Sequence, residues 1–353
     1  MEFNPSWIKD VEMLCIVGPT ASGKTRFAVW CAHEIKKLKG VEAQIISADS
    51  RQVYKDMTLG TGKDLSEYGQ VKYHLIDIAQ AGEKYNLFQY KQDFQRAYAE
   101  IVGEGCFPIL CGGSGLYVEA VLKDYDLKAV EPDAELRARL EKKSMEELVQ
   151  MLTDLKARKG AVPHNVTDFD TKKRVIRAIE IEMGDEGGET CIGGEETHRQ
   201  EEKKKGLKVK VLGLNPPREV RNARIDRRLE ERLQTGMVEE VKALLDRGIA
   251  PEDLIYYGLE YKFITQYLTG EISYEYMKEH LAIAIHQFAK RQMTWLRGME
   301  RRGIPIEWID LGNKLVLNIN IYRYEIELFN SMGCIGCCFC FCTNIYGSKG
   351  CRP

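Results

Sequence analysis

The eight-residue segment GPTASGKT at 18–25 constrains the fold of this chain more than any other part of it. It follows the apolar run 13–17 and precedes a helical pattern at 26–39, the context that a phosphate-binding loop G-x-x-x-x-G-K-[ST] requires. Its glycines let backbone amides converge on phosphate oxygens, and the helix N-terminus adds a favourable dipole. Lys24 supplies a positive charge, and the hydroxyl of Thr25 can ligate Mg²⁺. The alternative is a chance match in a glycine turn, but the full motif in this context predicts a polyphosphate site.

Length and composition are those of a globular protein with room for a large core and a second domain. The chain has 353 residues, of which 29% are charged and 44% hydrophobic, and a net charge of −2. That balance gives no global attraction to nucleic acid, so such a partner would have to meet local basic patches. No window has the roughly 18 apolar residues that span a membrane, and residues 1–12 show no secretory signal. We expect a cytoplasmic protein that does not cross a membrane.

The 11 cysteines fall into two groups. Five are scattered between Cys15 and Cys191 without metal-like spacing, which favours reduced thiols in the cytoplasm. The other six lie between Cys334 and Cys351, in a tail that contains no histidine. Zinc or an iron–sulfur cluster bound through cysteines alone is one interpretation of this tail. An extension with little structure is the other.

Apolar strands alternate with helical patterns before residue 125, and strand character returns near residue 210. The predicted strands are 13–17, 41–47, 73–78, 107–111 and 206–214. This alternation predicts an α/β fold, here a P-loop NTPase-like core with a parallel sheet. Ligands of such sheets lie at the carboxyl ends of the strands. The loops 49–52 and 112–115 are therefore expected to face the phosphate-binding loop.

Charged amphipathic helices interrupt this alternation and indicate an inserted all-helical subdomain. They are predicted over 133–143, 144–159 and 169–183, the second opening with the capping box Ser144-x-x-Glu147. A segment rich in Gly, Glu and Lys follows at 185–205 and predicts a mobile loop. The predicted domains are the first part of the core at 12–125, the helical insertion with its loop at 126–205, the second part of the core with basic helices at 206–310, and a cysteine-rich tail at 311–353, in which 314–329 alternates like a strand.

Two loops carry polar side chains suited to chemistry. Asp49 follows the second strand, where its carboxylate could ligate a metal or accept a proton from a nucleophile. The alternative is an Asx turn or a helix cap formed with Ser50. Ser114 lies in the glycine-rich segment 112–115, where its hydroxyl could stabilise a developing anion or hold a substrate. The alternative there is a tight turn from strand to helix, capped by the same side chain.

Two helical segments are basic. In the helix 217–234, Arg221, Arg224 and Arg228 share one face, and the last two could clamp phosphate oxygens in a bidentate way. The alternative is a solvated face paired with neighbouring glutamates. In the run 290–297 (KRQMTWLR), the charges could meet a nucleic-acid backbone, whereas Trp295 is interpreted as a core anchor.

Together these segments resemble one family, the tRNA dimethylallyltransferases, also called isopentenyl diphosphate:tRNA transferases. The matching segments are GPTASGKT at 18–25, ADSRQVY at 48–54, LGTGKD at 59–64, PILCGGSGLY at 108–117, RIDRRLEERL at 224–233 and AKRQMTWLRG at 289–298. The resemblance covers about residues 12–310, with the segments in family order and spacing. It implies transfer of a dimethylallyl group from its diphosphate to N6 of the adenosine just 3′ of the anticodon in tRNA.

The resemblance also implies roles for individual residues. Asp49 would be the general base that takes the proton of N6, and Arg224 would add charge to the diphosphate. Ser114 stands where many members have threonine, and its hydroxyl contact is expected to persist. Mg²⁺ would be held at Thr25. The residues implied to bind the diphosphate are Gly18, Pro19, Thr20, Ala21, Ser22, Gly23, Lys24, Thr25 and Arg228.

By the same resemblance, the helical insertion would clamp the anticodon stem-loop, and the target adenosine would be extruded into a channel. The residues implied to contact tRNA are Ser50, Arg51, Gln52, Arg137, Lys173, Arg174, Arg177, Tyr257, Gly258, Lys290, Arg291 and Arg297. The segment 255–260 (IYYGLE) departs from the commoner family pattern, which has glycine-tyrosine there. We expect a monomer whose partners are tRNA and dimethylallyl diphosphate.

Other functions share parts of this pattern. An adenine-nucleotide isopentenyltransferase would use the same phosphate loop and chemistry on a free nucleotide, but it needs neither the helical insertion nor the segment 289–298. A small-molecule P-loop kinase would transfer phosphate from ATP, and it leaves the tRNA-like segments without a purpose. A nucleic-acid-binding NTPase is disfavoured. Such a protein usually has a metal-binding Asp directly after an apolar run, and no clear example of this pattern follows the phosphate loop.

Overall fold

The computed structural model describes residues 2–125, 127, 130, 133–158, 171–184 and 206–309. The predicted mobile loop 185–205, the strand 314–329 and the cysteine-rich tail 311–353 lie outside these residues. The first two residues of the helix predicted over 169–183 also lie outside them. Within the described ranges, no helix has the length and apolar composition that crossing a bilayer requires.

The described residues form one sheet of six parallel strands, in the order β3-β2-β4-β1-β5-β6. The strands are β1 Met13–Val17, β2 Ala43–Ser47, β3 Tyr73–His74, β4 Phe107–Gly112, β5 Val209–Leu214 and β6 Glu307–Ile309. Every residue of β1, β2 and β4 is buried. Burial on both faces of a parallel sheet explains why these strands are predominantly apolar runs rather than alternating ones. The predicted α/β fold with a parallel sheet is confirmed.

The two edge strands differ from the sequence prediction. Only Tyr73 and His74 of the predicted strand 73–78 pair with β2. Leu75 and Asp77 have φ values of 63° and 58°, a left-handed conformation that is incompatible with an extended strand. β6 is not predicted by any pattern, because three residues are too few to show a period. Its pairing with β5 depends on contacts between distant parts of the chain.

Helices cover both faces of the sheet. The described helices are α1 Lys24–Lys39, α2 Leu87–Gly103, α3 Gly115–Leu122, α4 Ala134–Leu140, α5 Met145–Arg158, α6 Lys172–Gly184, α7 Arg218–Gln234, α8 Met237–Asp246, α9 Pro251–Tyr256, α10 Leu259–Leu268 and α11 Tyr274–Arg301. On one face α1 packs through Phe27 and Ile35. On the other face α2, α3 and the end of α11 pack through Tyr90, Val118 and Leu296.

The long helix α11 joins the sheet to a second group of helices. Its first half packs with α7, α8 and α10 in a separate apolar cluster, to which Leu281, Val241 and Ile264 contribute. Its second half lies against the sheet. Because α11 has 28 residues, it spans about 42 Å and contributes side chains to both groups.

The helices α4, α5 and α6 share a hydrophobic core of their own. Its buried members are Leu136, Leu140, Leu148, Leu152, Val175, Ile176 and Ile179. These residues come from the apolar stripes of the three predicted amphipathic helices. The all-helical unit expected from the sequence is therefore present in the described residues.

A buried carboxylate ties α4 to α6 within this unit. Glu180 is 2% exposed and accepts two hydrogen bonds from Arg137, both at 2.7 Å, one from Arg177 at 3.2 Å and one from the amide of Asp133 at 3.0 Å. Burial opposes ionisation of Glu180, but the hydrogen bonds from the two arginines and the amide outweigh it and lower its pKa. Both arginines thus have a partner inside the protein. Their contact with tRNA stays a prediction.

Glu180→Gln is expected to destabilise the α4–α6 unit by about 1–3 kcal/mol, since two partly exposed arginines lose a charged acceptor. Because the folded-state pKa is lowered, this stabilisation is fully present above the unfolded pKa of about 4.3 and is lost as the pH falls through the folded value. Amide hydrogen exchange in α6 measures the opening free energy. The exposed Glu135, in α4, supplies the control Glu135→Gln. Equal protection in the two variants would contradict the role of Glu180.

Candidate active site

The phosphate-binding loop connects β1 to α1 at the carboxyl edge of the sheet. Gly23 has a φ of 85°, in the left-handed region that favours glycine, and α1 begins at the next residue. The amide of Ser22 donates to the carbonyl of Pro19 at 3.3 Å, which closes the loop. The loop thus curls over the N-terminus of a 16-residue helix, an arrangement that attracts anions.

Lys24 is the central cation of this loop. Its ammonium group donates to the carbonyl of Pro19 at 2.8 Å and lies close to Gly113 in the loop after β4. Burial lowers the pKa of Lys24, while the nearby Cys111 and Asp49 act to raise it. Lys24 therefore lies near the loops that follow both β2 and β4.

Hydrogen bonds join the loops that carry Asp49 and Ser114. The amide of Ser50 donates to Oγ of Ser114 at 2.9 Å, and the amide of Ser114 donates to the carbonyl of Ala48 at 3.2 Å. Gly112 permits this approach, because a β-carbon there would overlap the carbonyl of Ala48. The hydroxyl of Ser114 therefore positions the loop on which Asp49 lies.

Asp49 forms the Asx turn that was the alternative to a catalytic role. Its Oδ1 accepts a hydrogen bond from the amide of Arg51 at 2.9 Å. The side chain is half-buried, and its charge acts to raise the pKa of Lys24. The two interpretations are compatible, because the turn uses one carboxylate oxygen and thereby orients the other.

Helix α7 brings further cations to the phosphate loop. Nη2 of Arg228 donates to Oγ1 of Thr20 at 2.8 Å, and its Nη1 lies 3.7 Å from Asp64. Asp64 also accepts from Arg232 at 2.9 Å. Burial lowers the pKa of Arg228, and the charge of Arg232 lowers it further. Arg228 is thus held against the phosphate loop by contacts on both sides.

Arg224 lies about one turn before Arg228 on the same helix and is exposed. Burial of part of the side chain lowers the pKa of Arg224, and the charges of Arg227 and Arg26 lower it further. Arg221 is 8% exposed, so the face predicted to hold three arginines presents two of them. Positive charge is concentrated beside the phosphate loop, as binding of a diphosphate requires.

Comparison with known proteins decides the family. The family model described as IPP transferase matches residues 52–299. The chain belongs to this family. Among its relatives, tRNA dimethylallyltransferase 2 of Bacteroides fragilis is 50% identical over 324 residues, which cover 91% of this chain and 99% of the relative. The tRNA dimethylallyltransferase 2 of Porphyromonas gingivalis is 52% identical over 302 residues, covering 84% and 93%.

Solved structures have the fold of this IPP transferase. The tRNA isopentenylpyrophosphate transferase of Bacillus halodurans is 29% identical, has a TM-score of 0.59 and covers 92% of this chain and 99% of its own. A eukaryotic dimethylallyltransferase acting on tRNA has a TM-score of 0.65 over 91% of this chain and 79% of its own, and at 22% identity it shows the common fold alone. The resemblance drawn from the sequence segments is confirmed. The free-nucleotide alternative is not favoured by these relatives.

Tyr257 of this IPP transferase is buried, which corrects the prediction that it contacts tRNA. It is 1% exposed, and its hydroxyl accepts from the amide of Gly82 at 2.7 Å and donates to the carbonyl of Glu83 at 2.8 Å. Its ring centre lies 4.5 Å from that of Tyr54. A tyrosine with both ring and hydroxyl engaged inside the protein is part of the core. The neighbouring Tyr256 is 48% exposed instead.

The other residues predicted to contact tRNA differ in exposure. Those that are exposed are Lys173, Arg174, Lys290, Arg291 and Arg297. Gln52 is engaged inside the protein, with Oε1 accepting from Oγ of Ser47 at 3.1 Å and Nε2 donating to the carbonyl of Gly62 at 3.0 Å. Gly258 lies immediately before α10. Trp295 packs on the sheet cluster, which confirms its interpretation as a core anchor.

Gln292 is a site residue to which the sequence analysis assigned no role, although it lies within the matching segment 289–298. It is 9% exposed, with Oε1 accepting from the amide of Thr20 at 2.7 Å and Nε2 donating to the carbonyl of Gly113 at 3.0 Å. One side chain thus ties the phosphate loop to the glycine loop after β4. A signal was present, because Gln292 shares the apolar face of α11 with Ala289 and Leu296, where a polar residue needs a partner.

Proposed function

We propose that this protein transfers the dimethylallyl group from dimethylallyl diphosphate to N6 of the adenosine 3′-adjacent to the anticodon in tRNA, and releases diphosphate. The proposal rests mainly on the placement of Asp49 and Lys24. Their loops follow β2 and β1, which flank β4 in the sheet. The loops that carry the proton acceptor and the cation for the leaving group therefore lie about two strand spacings, roughly 10 Å, apart.

The reaction would be a substitution at the allylic carbon. N6 attacks this carbon and forms the new C–N bond, while the bond from the carbon to the diphosphate oxygen breaks and the diphosphate keeps the electron pair. Asp49 accepts the proton that N6 loses. Lys24, Arg224, Arg228 and the loop amides stabilise the negative charge that grows on the diphosphate. Ser114 holds the loop of Asp49 in register with the other two loops.

Mg²⁺ belongs to the proposal as a partner of the diphosphate. Thr25 offers a hydroxyl in the first turn of α1. A hydroxyl oxygen is a hard ligand of the kind that Mg²⁺ accepts. Mg²⁺ that acts on a phosphate substrate is commonly bound through the phosphates with few protein ligands. When bound, it would neutralise charge on the leaving group.

We expect exposed cations of the helical unit and of α11 to hold the RNA. Lys173 and Arg174 lie on α6, and Lys290, Arg291 and Arg297 lie on α11. Contacts from such side chains to phosphates position the RNA without reading its sequence. Because the net charge of the chain is −2, this local charge has to supply the attraction. The proposal takes the enzyme to be a cytoplasmic monomer.

Arg174→Glu is expected to weaken tRNA binding and to reduce the slope of log K against log salt by about 1, because one phosphate contact is lost. Binding titrations between about 50 and 200 mM salt measure this slope. Lys9→Glu is the control. Lys9 is exposed and precedes β1, at the amino edge of the sheet opposite the phosphate loop. A slope unchanged from the parent would mean that Arg174 lies off the path of the tRNA.

Mass analysis of nucleosides tests the proposed reaction. The full chain is incubated with tRNA, Mg²⁺ and dimethylallyl diphosphate, and the digested tRNA is expected to contain N6-dimethylallyladenosine at the position 3′ of the anticodon. AMP, ADP and ATP are offered in parallel, and a further reaction contains EDTA. Prenylation of free nucleotides alone would overturn the proposal in favour of an adenine-nucleotide isopentenyltransferase. Full activity in EDTA would remove Mg²⁺ from it.

A further inference from the structure

We propose that Tyr256 and Arg51 form a stacking site for one unpaired RNA base adjacent to the acceptor adenosine, an inference that rests on the proposed function. The side chain of Tyr256 is 48% exposed. The guanidinium carbon of Arg51 lies 5.2 Å from the centre of its ring. An exposed aromatic ring with a guanidinium beside it is the combination on which proteins stack the bases of single-stranded RNA.

The pair lies beside the acceptor site. Arg51 is two residues after Asp49, and its amide donates to Oδ1 of Asp49 at 2.9 Å. An adenine whose N6 reaches Asp49 therefore has its neighbouring nucleotide close to the ring of Tyr256.

The ring of Tyr256 is held in a defined position by its neighbour Tyr257. Its centre lies 5.8 Å from that of Tyr257, with the two planes at 73°. Tyr257 is itself held by its two hydrogen bonds to the segment 82–83 and by its contact with Tyr54. A ring that is positioned in advance loses little conformational entropy when a base stacks on it. Tyr256 also falls within the segment 255–260, where this chain departs from the commoner family pattern.

Kinetics on tRNA with a single abasic residue tests the site. Three substrates are compared: intact tRNA, tRNA abasic on the 5′ side of the acceptor adenosine and tRNA abasic on its 3′ side. In the parent enzyme one abasic substrate is expected to raise KM for tRNA about tenfold. Tyr256→Leu is expected to raise KM for intact tRNA by about the same factor, with no further rise on that abasic substrate. Tyr256→Phe, which restores the ring, is expected to recover KM to within about twofold.

The control variant is Tyr276→Leu. Tyr276 is 46% exposed, and it lies on α11 about 24 Å along the helix axis from Gln292 and the phosphate loop. KM for dimethylallyl diphosphate reports whether each variant is folded and binds its donor. Two results would overturn the stacking site. In the first, Tyr256→Leu and the missing base raise KM for tRNA independently on both abasic substrates, so that their effects multiply. In the second, KM for tRNA is equal in Tyr256→Leu and Tyr276→Leu. Failure of the parent enzyme to modify intact tRNA would instead overturn the proposed function.

Discussion

Asp49→Asn is expected to slow dimethylallyl transfer by about 10²–10⁴-fold while tRNA affinity stays within a few fold. Asparagine retains an Oδ1 that can accept from the amide of Arg51, now 2.9 Å away, so the turn and the loop survive. The variant loses the negative charge and the acceptor for the proton of N6. Asp49→Ala, which also removes the turn, is expected to be no more active. Single-turnover transfer at saturating tRNA, with a parallel binding titration, separates the chemical step from binding.

Asp56→Asn is the matched control for this prediction. Asp56 lies on the surface, where it pairs with Arg247 at 2.9 Å. Its φ of 61° is one that asparagine tolerates, so the control tests the same chemical change without strain. Full transfer activity in Asp49→Asn would remove Asp49 as the base. A loss of tRNA affinity as large as the loss of rate would make it a binding residue.

Gln292→Leu is expected to raise KM for dimethylallyl diphosphate by about 10- to 100-fold and to lower the free energy of unfolding by about 1–3 kcal/mol. Leucine has a similar volume but makes no hydrogen bonds. The amide of Thr20 and the carbonyl of Gly113, now bonded at 2.7 and 3.0 Å, would be left without their partner. The phosphate loop then loses its tie to the neighbouring glycine loop, and its amides are no longer held in place for the diphosphate.

Initial rates at saturating tRNA and urea unfolding measure the two effects. Gln287→Leu is the control, because Gln287 lies on the same helix but is exposed; both quantities are expected to stay near those of the parent. A drop in stability with no change in KM would confine Gln292 to a structural role. No change in either quantity would mean that the loops are positioned without it.

Much of the fold followed from local patterns. The phosphate loop needs a left-handed glycine, and Gly23 has that conformation because the motif places glycine immediately before α1. Strands β1 and β4 are apolar along their length because both faces of the sheet are covered. These features depend on residues a few positions apart, so they can be predicted from a window of sequence. The predicted strand 73–78 is longer than the observed β3. Its apolar pattern continues past the point where positive φ angles at Leu75 and Asp77 turn the chain.

The candidate site was predicted in part for the same reason. Asp49 and Ser114 follow predicted strands, and parallel strands bring such loops to one edge of the sheet. The sequence left open whether Asp49 forms a turn or faces the phosphate loop, and the structure shows the turn while keeping the carboxylate near Lys24. Arg137 and Arg177 looked like helix charges that an RNA could use. Their common partner Glu180 emerges only when α4 packs on α6.

By itself the sequence determined the phosphate loop, the order of strands and helices, the helical unit and, through its matching segments, the family. Only the tertiary structure decided which of two adjacent tyrosines is core and which is surface, since Tyr256 and Tyr257 are chemically identical and differ only in what packs around them. It also revealed the bridge from Gln292 to Thr20, which joins residues 272 positions apart. Local spacing dictates backbone conformation and amphipathic faces. The partners of a buried polar group depend on which distant segments those faces bring together.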